Sequence, residues 1–103
     1  MNQVKLVVTV PESHADIVRE AIGKAGAGRV GNYSFCSFSS KGTGRFLPLD
    51  GANPAIGSIG TLESVSEERI EVNCDQELLT DVVAAIRSVH PYEEPVIDVY
   101  ALR

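Results

Sequence analysis

The sequence predicts an α+β fold made of two β-α-β halves separated by a long insertion, and three observations predict it. Residues 3–10 and 68–74 alternate apolar and polar side chains with period two, as strands with one buried face do. Residues 13–25 and 78–89 repeat apolar side chains at helical spacing. Between the halves, residues 40–60 hold Gly42, Gly44, Gly51, Gly57, Gly60, Pro48 and Pro54, a density of breakers that excludes a helix or a long uninterrupted central strand.

Along residues 3–10, Val4, Leu6, Val8 and Val10 share one face, with Lys5, Val7 and Thr9 on the other. Pro11 ends this strand. Ser13, with Asp16 three residues on, resembles a capping box, and Val18, Ala21, Ile22 and Ala25 give the following helix its stripe. Gly26 and Gly28 bracket the end of that helix. Tyr33 to Phe38 is expected to be the second strand, Lys41 to Gly44 a tight turn, and Arg45 to Leu49 a brief pairing segment. Loops as long as the remaining excursion are usually functional or docked, so its length alone makes it a site candidate. From Glu68, Ile70, Val72 and Cys74 point inward on a third strand, and Asp75 is placed to cap the second helix. That helix carries the strongest stripe in the chain, from Leu78 through Val82 and Ile86 to Val89, and Pro91 ends it. A last strand follows Pro95. This order is that of a ferredoxin-like sandwich, with two helices on one face of a four-stranded antiparallel sheet.

The chain of 103 residues is read as one domain, residues 1–103, with room for a single core. Nine Lys and Arg against 14 Asp and Glu give a net charge of −5, which repels a phosphate backbone, so nucleic acid is not an expected partner. No apolar run approaches the roughly 18 residues that span a bilayer, the first residues carry no leader pattern, and the expected compartment is the cytoplasm. Cys36 and Cys74 are too few for a stapled scaffold and are expected to be small buried apolar residues. The open face of the sheet, with Val7, Val96, Tyr100 and Leu102 among charged residues, is too apolar for water and too polar for a core, which predicts a homo-oligomer.

The most informative run is His90-Pro91-Tyr92-Glu93-Glu94-Pro95. Two prolines confine an imidazole and two carboxylates to a short non-helical path, and a helix C-terminus favours protonated His90. His90, Glu93 and Glu94 are therefore candidate ligands of a divalent cation, with further ligands required from a loop or a neighbouring subunit. The alternative is structural: His90 caps the helix, Tyr92 packs, and the glutamates are solvated. Gly26, Gly28 and Gly31 form a GxGxxG string that ends a helix instead of opening one, so tight turns outweigh dinucleotide binding. Arg29, Lys41 and Arg45 are the cations these turns offer to a small anionic ligand. Tyr33, Phe35, Phe38 and Phe46 are expected to pack, and the Glu67-Glu68 pair to be solvated. Neither a GxSxG pattern nor a Ser-His-Asp ordering is present.

The string from His90 to Pro95 with Val96-Ile97-Asp98-Val99-Tyr100 resembles the end of the inserted domain of the Nif-three-like family, the GTP cyclohydrolase 1 type 2 homologues. Gly26 to Ser34, Cys36-Ser37-Phe38, Gly42 to Pro48, Gly51-Ala52, Pro54 and Ile56-Gly57 extend the resemblance over nearly the whole chain. His90 to Glu93 with Pro95 is also similar to the CutA divalent-cation-tolerance proteins, which share the fold of the PII signalling proteins and form trimers. The resemblance implies a PII-like or CutA-like domain standing alone, with a trimer the favoured homo-oligomer. It does not carry over the family's two-metal hydrolase centre, whose ligands lie in flanking domains, because His14 and His90 are the only histidines here. The functions expected are a non-catalytic binding or regulatory module holding a divalent cation or small ligand in subunit clefts, a regulatory partner of a separate hydrolase subunit, or a purely structural interaction protein.

Overall fold

A computed structural model describes residues 2–103. The elements are β1 (Gln3–Pro11), a 3-10 turn (Glu12–His14), α1 (Ala15–Lys24), β2 (Phe38–Phe46), β3 (Glu63–Asp75), a second 3-10 turn (Gln76–Leu78), α2 (Leu79–Val89) and β4 (Ile97–Ala101). The four strands form one sheet in the order β2-β3-β1-β4, antiparallel throughout. This is the ferredoxin-like order the sequence predicts.

The predicted faces hold where the core is. Val4, Leu6 and Val8 of β1 stand opposite Cys74, Val72 and Ile70 of β3, so one face of two central strands is continuously aliphatic. Val18 and Ile22 of α1 with Val82 and Ile86 of α2 close over it, all buried. The apolar area removed from water there, at about 25 cal/mol per Å2, is the main force holding the sandwich together. Val7 is buried too, although it lies on the opposite face beside Glu71 and Asp98.

The second strand differs from expectation. Residues 33–37 contribute only an isolated bridge between Val30 and Tyr33, and the strand runs from Phe38 to Phe46 straight through the predicted turn. β2 is an edge strand, paired on one side only, where glycines cost least. Gly42 and Gly44 face Glu67 and Val65 of β3, and β3 accordingly begins at Glu63, five residues before the expected start. The long excursion therefore shortens to residues 47–62, the connection of a β2–β3 hairpin. Its base is clasped by the Gly60 N–H donating to the Pro48 carbonyl at 2.9 Å.

Both predicted helix caps are also replaced. Ser13 Oγ pairs with His14 Nδ1 at 2.8 Å and Asp75 Oδ1 accepts from Gln3 Nε2 at 2.8 Å, so neither side chain caps a helix. Tyr33, Phe35 and Phe38 are exposed instead of packed, with Tyr33 at 73% and Phe38 at 70%, and Cys36 is half-buried outside any strand. Cys74 is buried as expected. The Gly28 turn is required: its φ is +79°, a Cβ there would meet the Cys36 carbonyl oxygen, and its N–H donates to the Asn73 carbonyl at 2.8 Å.

Candidate functional site

The elbow between α2 and β4 is built by its two prolines. His90 leaves the helix in an extended conformation (φ −73°, ψ 133°), the region Pro91 imposes on the residue before it, and its N–H still caps the Ile86 carbonyl. The imidazole turns inward and is 7% exposed. Its Nε2–H donates to the Thr9 carbonyl of β1 at 2.8 Å and its Nδ1 accepts from the Tyr92 N–H at 3.1 Å. These partners assign the neutral Nε2–H tautomer and occupy both ring nitrogens. Burial pushes the His90 pKa below its ordinary value, against the smaller opposing pulls of the Thr9 carbonyl and Glu67. This reverses the expectation of a protonated ring, because burial is the largest influence on it and Nδ1 must stay free of a proton to accept from the Tyr92 N–H.

Tyr92 is the centre of the elbow. Its ring lies 5.2 Å from the His90 ring and 5.6 Å, edge-on, from that of Phe46. Its hydroxyl donates to Glu67 Oε2 at 2.6 Å, and burial followed by the Glu67 hydrogen bond raises its pKa strongly. Glu67, expected to be solvated, is 7% exposed. It and Glu68 point to opposite faces of β3: Glu68 pairs with Arg19 at 2.6 Å on the helix face, and Glu67 meets Tyr92 on the other. Gly44 makes this possible, since a Cβ there would collide with the Glu67 carboxylate.

The long loop folds back on this cluster. The Asn53 N–H donates to Glu93 Oε1 at 3.0 Å, joining loop to elbow. Between them opens a cleft of about 480 Å3, lined by the apolar Phe46, Leu49, Pro54, Ile56 and Val96 together with Glu67, Tyr92, Glu93 and Glu94. Sequence reasoning named the loop and the elbow separately but missed Glu67, Tyr92 and Phe46 as one cluster. The register that sets Gly42 opposite Glu67, with Gly44 diagonally beside it, was the missing signal.

The predicted ligand sets do not converge as expected. His90 has no free nitrogen, Glu93 is held by the loop, and Glu94 is exposed at the cleft. Among the described residues no group of three or more His, Cys, Asp and Glu side chains is arranged to hold a metal ion. Arg29 is exposed in the connection before β2, Lys41 pairs with Glu12 at 3.4 Å, and Arg45 stands four residues further along β2 at the cleft wall.

The fold defines the class: an α+β domain of ferredoxin type with a CutA-like arrangement of strands and helices. The periplasmic divalent cation tolerance protein CutA from Archaeoglobus fulgidus superposes with a TM-score of 0.71 at 16% identity, over 98% of this chain and 84% of that one. CutA from Synechococcus elongatus gives 0.70 at 19% identity, over 98% and 77%. At those identities the likeness establishes the fold alone. A Bacillus cereus protein related to NIF3 superposes at 0.85 with 48% identity, over 98% of this chain and 26% of that one. In sequence the chain is 56% identical over 98 residues to the GTP cyclohydrolase 1 type 2 homolog of Halalkalibacterium halodurans, and 52% identical to that of Mycobacterium tuberculosis. Each match covers 95% of this chain and 26% of the relative. No family model matches the chain. The chain is thus a homologue of one segment of the GTP cyclohydrolase 1 type 2 homologues, spanning about a quarter of their length.

Proposed function

We propose that this chain is a non-catalytic binding or regulatory module whose ligand site is the cleft between residues 47–62 and the His90–Pro95 elbow. The observation that carries this reading is a roomy, largely apolar cleft lined also by a few polar groups, among them Glu67 held by the Tyr92 hydroxyl, the composition of a small-molecule site. His90 serves this site by position, tying the elbow to β1 and leaving no lone pair for proton transfer or metal. The geometry thus favours a small organic ligand over the divalent cation at His90, Glu93 and Glu94. In longer relatives the corresponding segment would report ligand occupancy to the remaining three-quarters of the protein.

The reading is tested by amide NMR titration of the folded chain with a set of fragments sized to the cleft. At least one fragment should move the amides of Phe46, Ala52, Glu67 and Tyr92 together, and Ala52→Trp, which fills the cleft, should abolish the movement. A folded protein whose cleft amides respond to none of them lacks this function. Zinc, copper or manganese raising the unfolding midpoint in wild type but not in His90→Ala would restore the cation reading.

Self-association is a second reading with its own observation. Phe38, Val96 and Tyr100, each at least half exposed, flank the polar centre of the open sheet face. A trimer would cover such a face, and native mass measurement tests it: Phe38→Glu should lower the mass of an oligomer built there. Copurification with a separate hydrolase subunit would instead favour a regulatory partnership.

A further inference from the structure

Glu67 is a buried carboxylate without a cation. On the described residues its one side-chain donor is the Tyr92 hydroxyl, and no Lys or Arg lies within ion-pair reach. The nearby cations are committed elsewhere: Arg19 to Asp16 and Glu68, Lys41 to Glu12, and Arg69, two residues along β3, to Glu71 at 3.0 Å. Arg45 lines the cleft, but strand alternation puts it on the face of β2 opposite Gly44 and Glu67. A charge withdrawn from water with no opposite charge beside it is costly, and proteins normally pair it or bind a cation to it.

We propose that the cleft recognises a small organic cation, a primary ammonium that pairs with Glu67 while its aliphatic or aromatic body sits between Phe46, Leu49 and Ile56. This rests on reading the cleft as a ligand site. An ammonium brings three donors. Glu67 offers carboxylate lone pairs, and the Tyr92 oxygen, having donated its proton to Oε2, can still accept. Glu93 and Glu94 at the same cleft add negative potential that draws a cation in. A hydrated divalent metal fits less well, since it demands several oxygen ligands at once and the described residues gather no such group. The apolar walls reward a hydrocarbon body, which a bare metal lacks.

The test uses three matched probes, 3-phenylpropylamine, 3-phenylpropanol and 3-phenylpropionate, titrated into the full chain at pH 7 while amides of Gly44, Glu67 and Tyr92 are followed by NMR. The amine should bind at these amides at least tenfold tighter than the alcohol, the carboxylate weaker still, and added salt should weaken only the amine. Glu67→Gln should bring the amine down to the alcohol's affinity and leave the alcohol unchanged. Should that variant not fold, Glu67→Asp, with its carboxylate drawn back by one methylene, should weaken the amine selectively. If alcohol and amine bind the cleft equally, or the carboxylate binds best, the cation proposal falls and the binding-module reading stands. If none of the probes moves the cleft amides, the cation proposal falls, and the fragment titration above decides the binding-module reading separately.

Discussion

One strand, β3, has two faces that were solved in different ways. Ile70, Val72 and Cys74 look toward the helices and are buried among aliphatics that any similar apolar side chain could approximate. Glu67, Arg69 and Glu71, on the other face, depend on individual partners: a tyrosine from the elbow for the first, and each other for the last two. The contrast shows that burial on the helix face is collective and tolerant, whereas burial at the cleft is specific and fails one hydrogen bond at a time.

Breaking the collective side should cost most. Ile70→Ala leaves a cavity between the helices and the sheet and is expected to lower stability by about 2–5 kcal/mol, measured by chemical denaturation. On the cleft side Gly44→Ala forces a methyl group into the Glu67 carboxylate, and a loss of about 1–3 kcal/mol should accompany displacement of Tyr92, visible as altered ring resonances. Tyr92→Phe removes a side-chain donor to a buried carboxylate and should cost about 1–3 kcal/mol, more than the same change at exposed Tyr33 or Tyr100. If the three tyrosines prove equal, the specificity drawn from β3 is wrong.

A pH titration sharpens the comparison further. Burial holds folded His90 below its ordinary pKa near 6.5, so on acidification the unfolded chain takes up the proton first. The stability contributed by neutral His90 is complete above about pH 6.5 and is lost as pH falls below that value toward the folded pKa. The unfolding midpoint should therefore drop between pH 7 and pH 5, before most carboxylates titrate, and His90→Asn should flatten the slope. The smallest effect belongs to the surface: removing the Glu20–Lys24 pair, both partners mostly exposed, should change stability by no more than about 0.5 kcal/mol.

The helix face was legible because period-two and helical patterns report burial against generic neighbours, and Val4 to Val10, Ile70 to Cys74 and Val82 to Ile86 all carry them. β2 was not, because an edge strand needs no apolar pattern and tolerates Gly42 and Gly44, which locally read as a turn. The site was half legible. Two prolines announced the elbow, but Glu67 looks like any charged residue until its register partner is known to be a glycine and its acceptor role is taken up by a tyrosine 25 residues away. His90 misled for the same reason: its ligand chemistry was evident from type, and its engagement with Thr9 depends on a strand 81 residues earlier.

The clasp between Pro48 and Gly60 closes the loop at its base, beside the end of β2 and the start of β3. Changes in residues 49–59 can redraw the wall of the binding space while β2 and β3 keep their register. A scaffold arranged this way lets selectivity drift under evolution, or be exchanged by grafting, at little risk to folding.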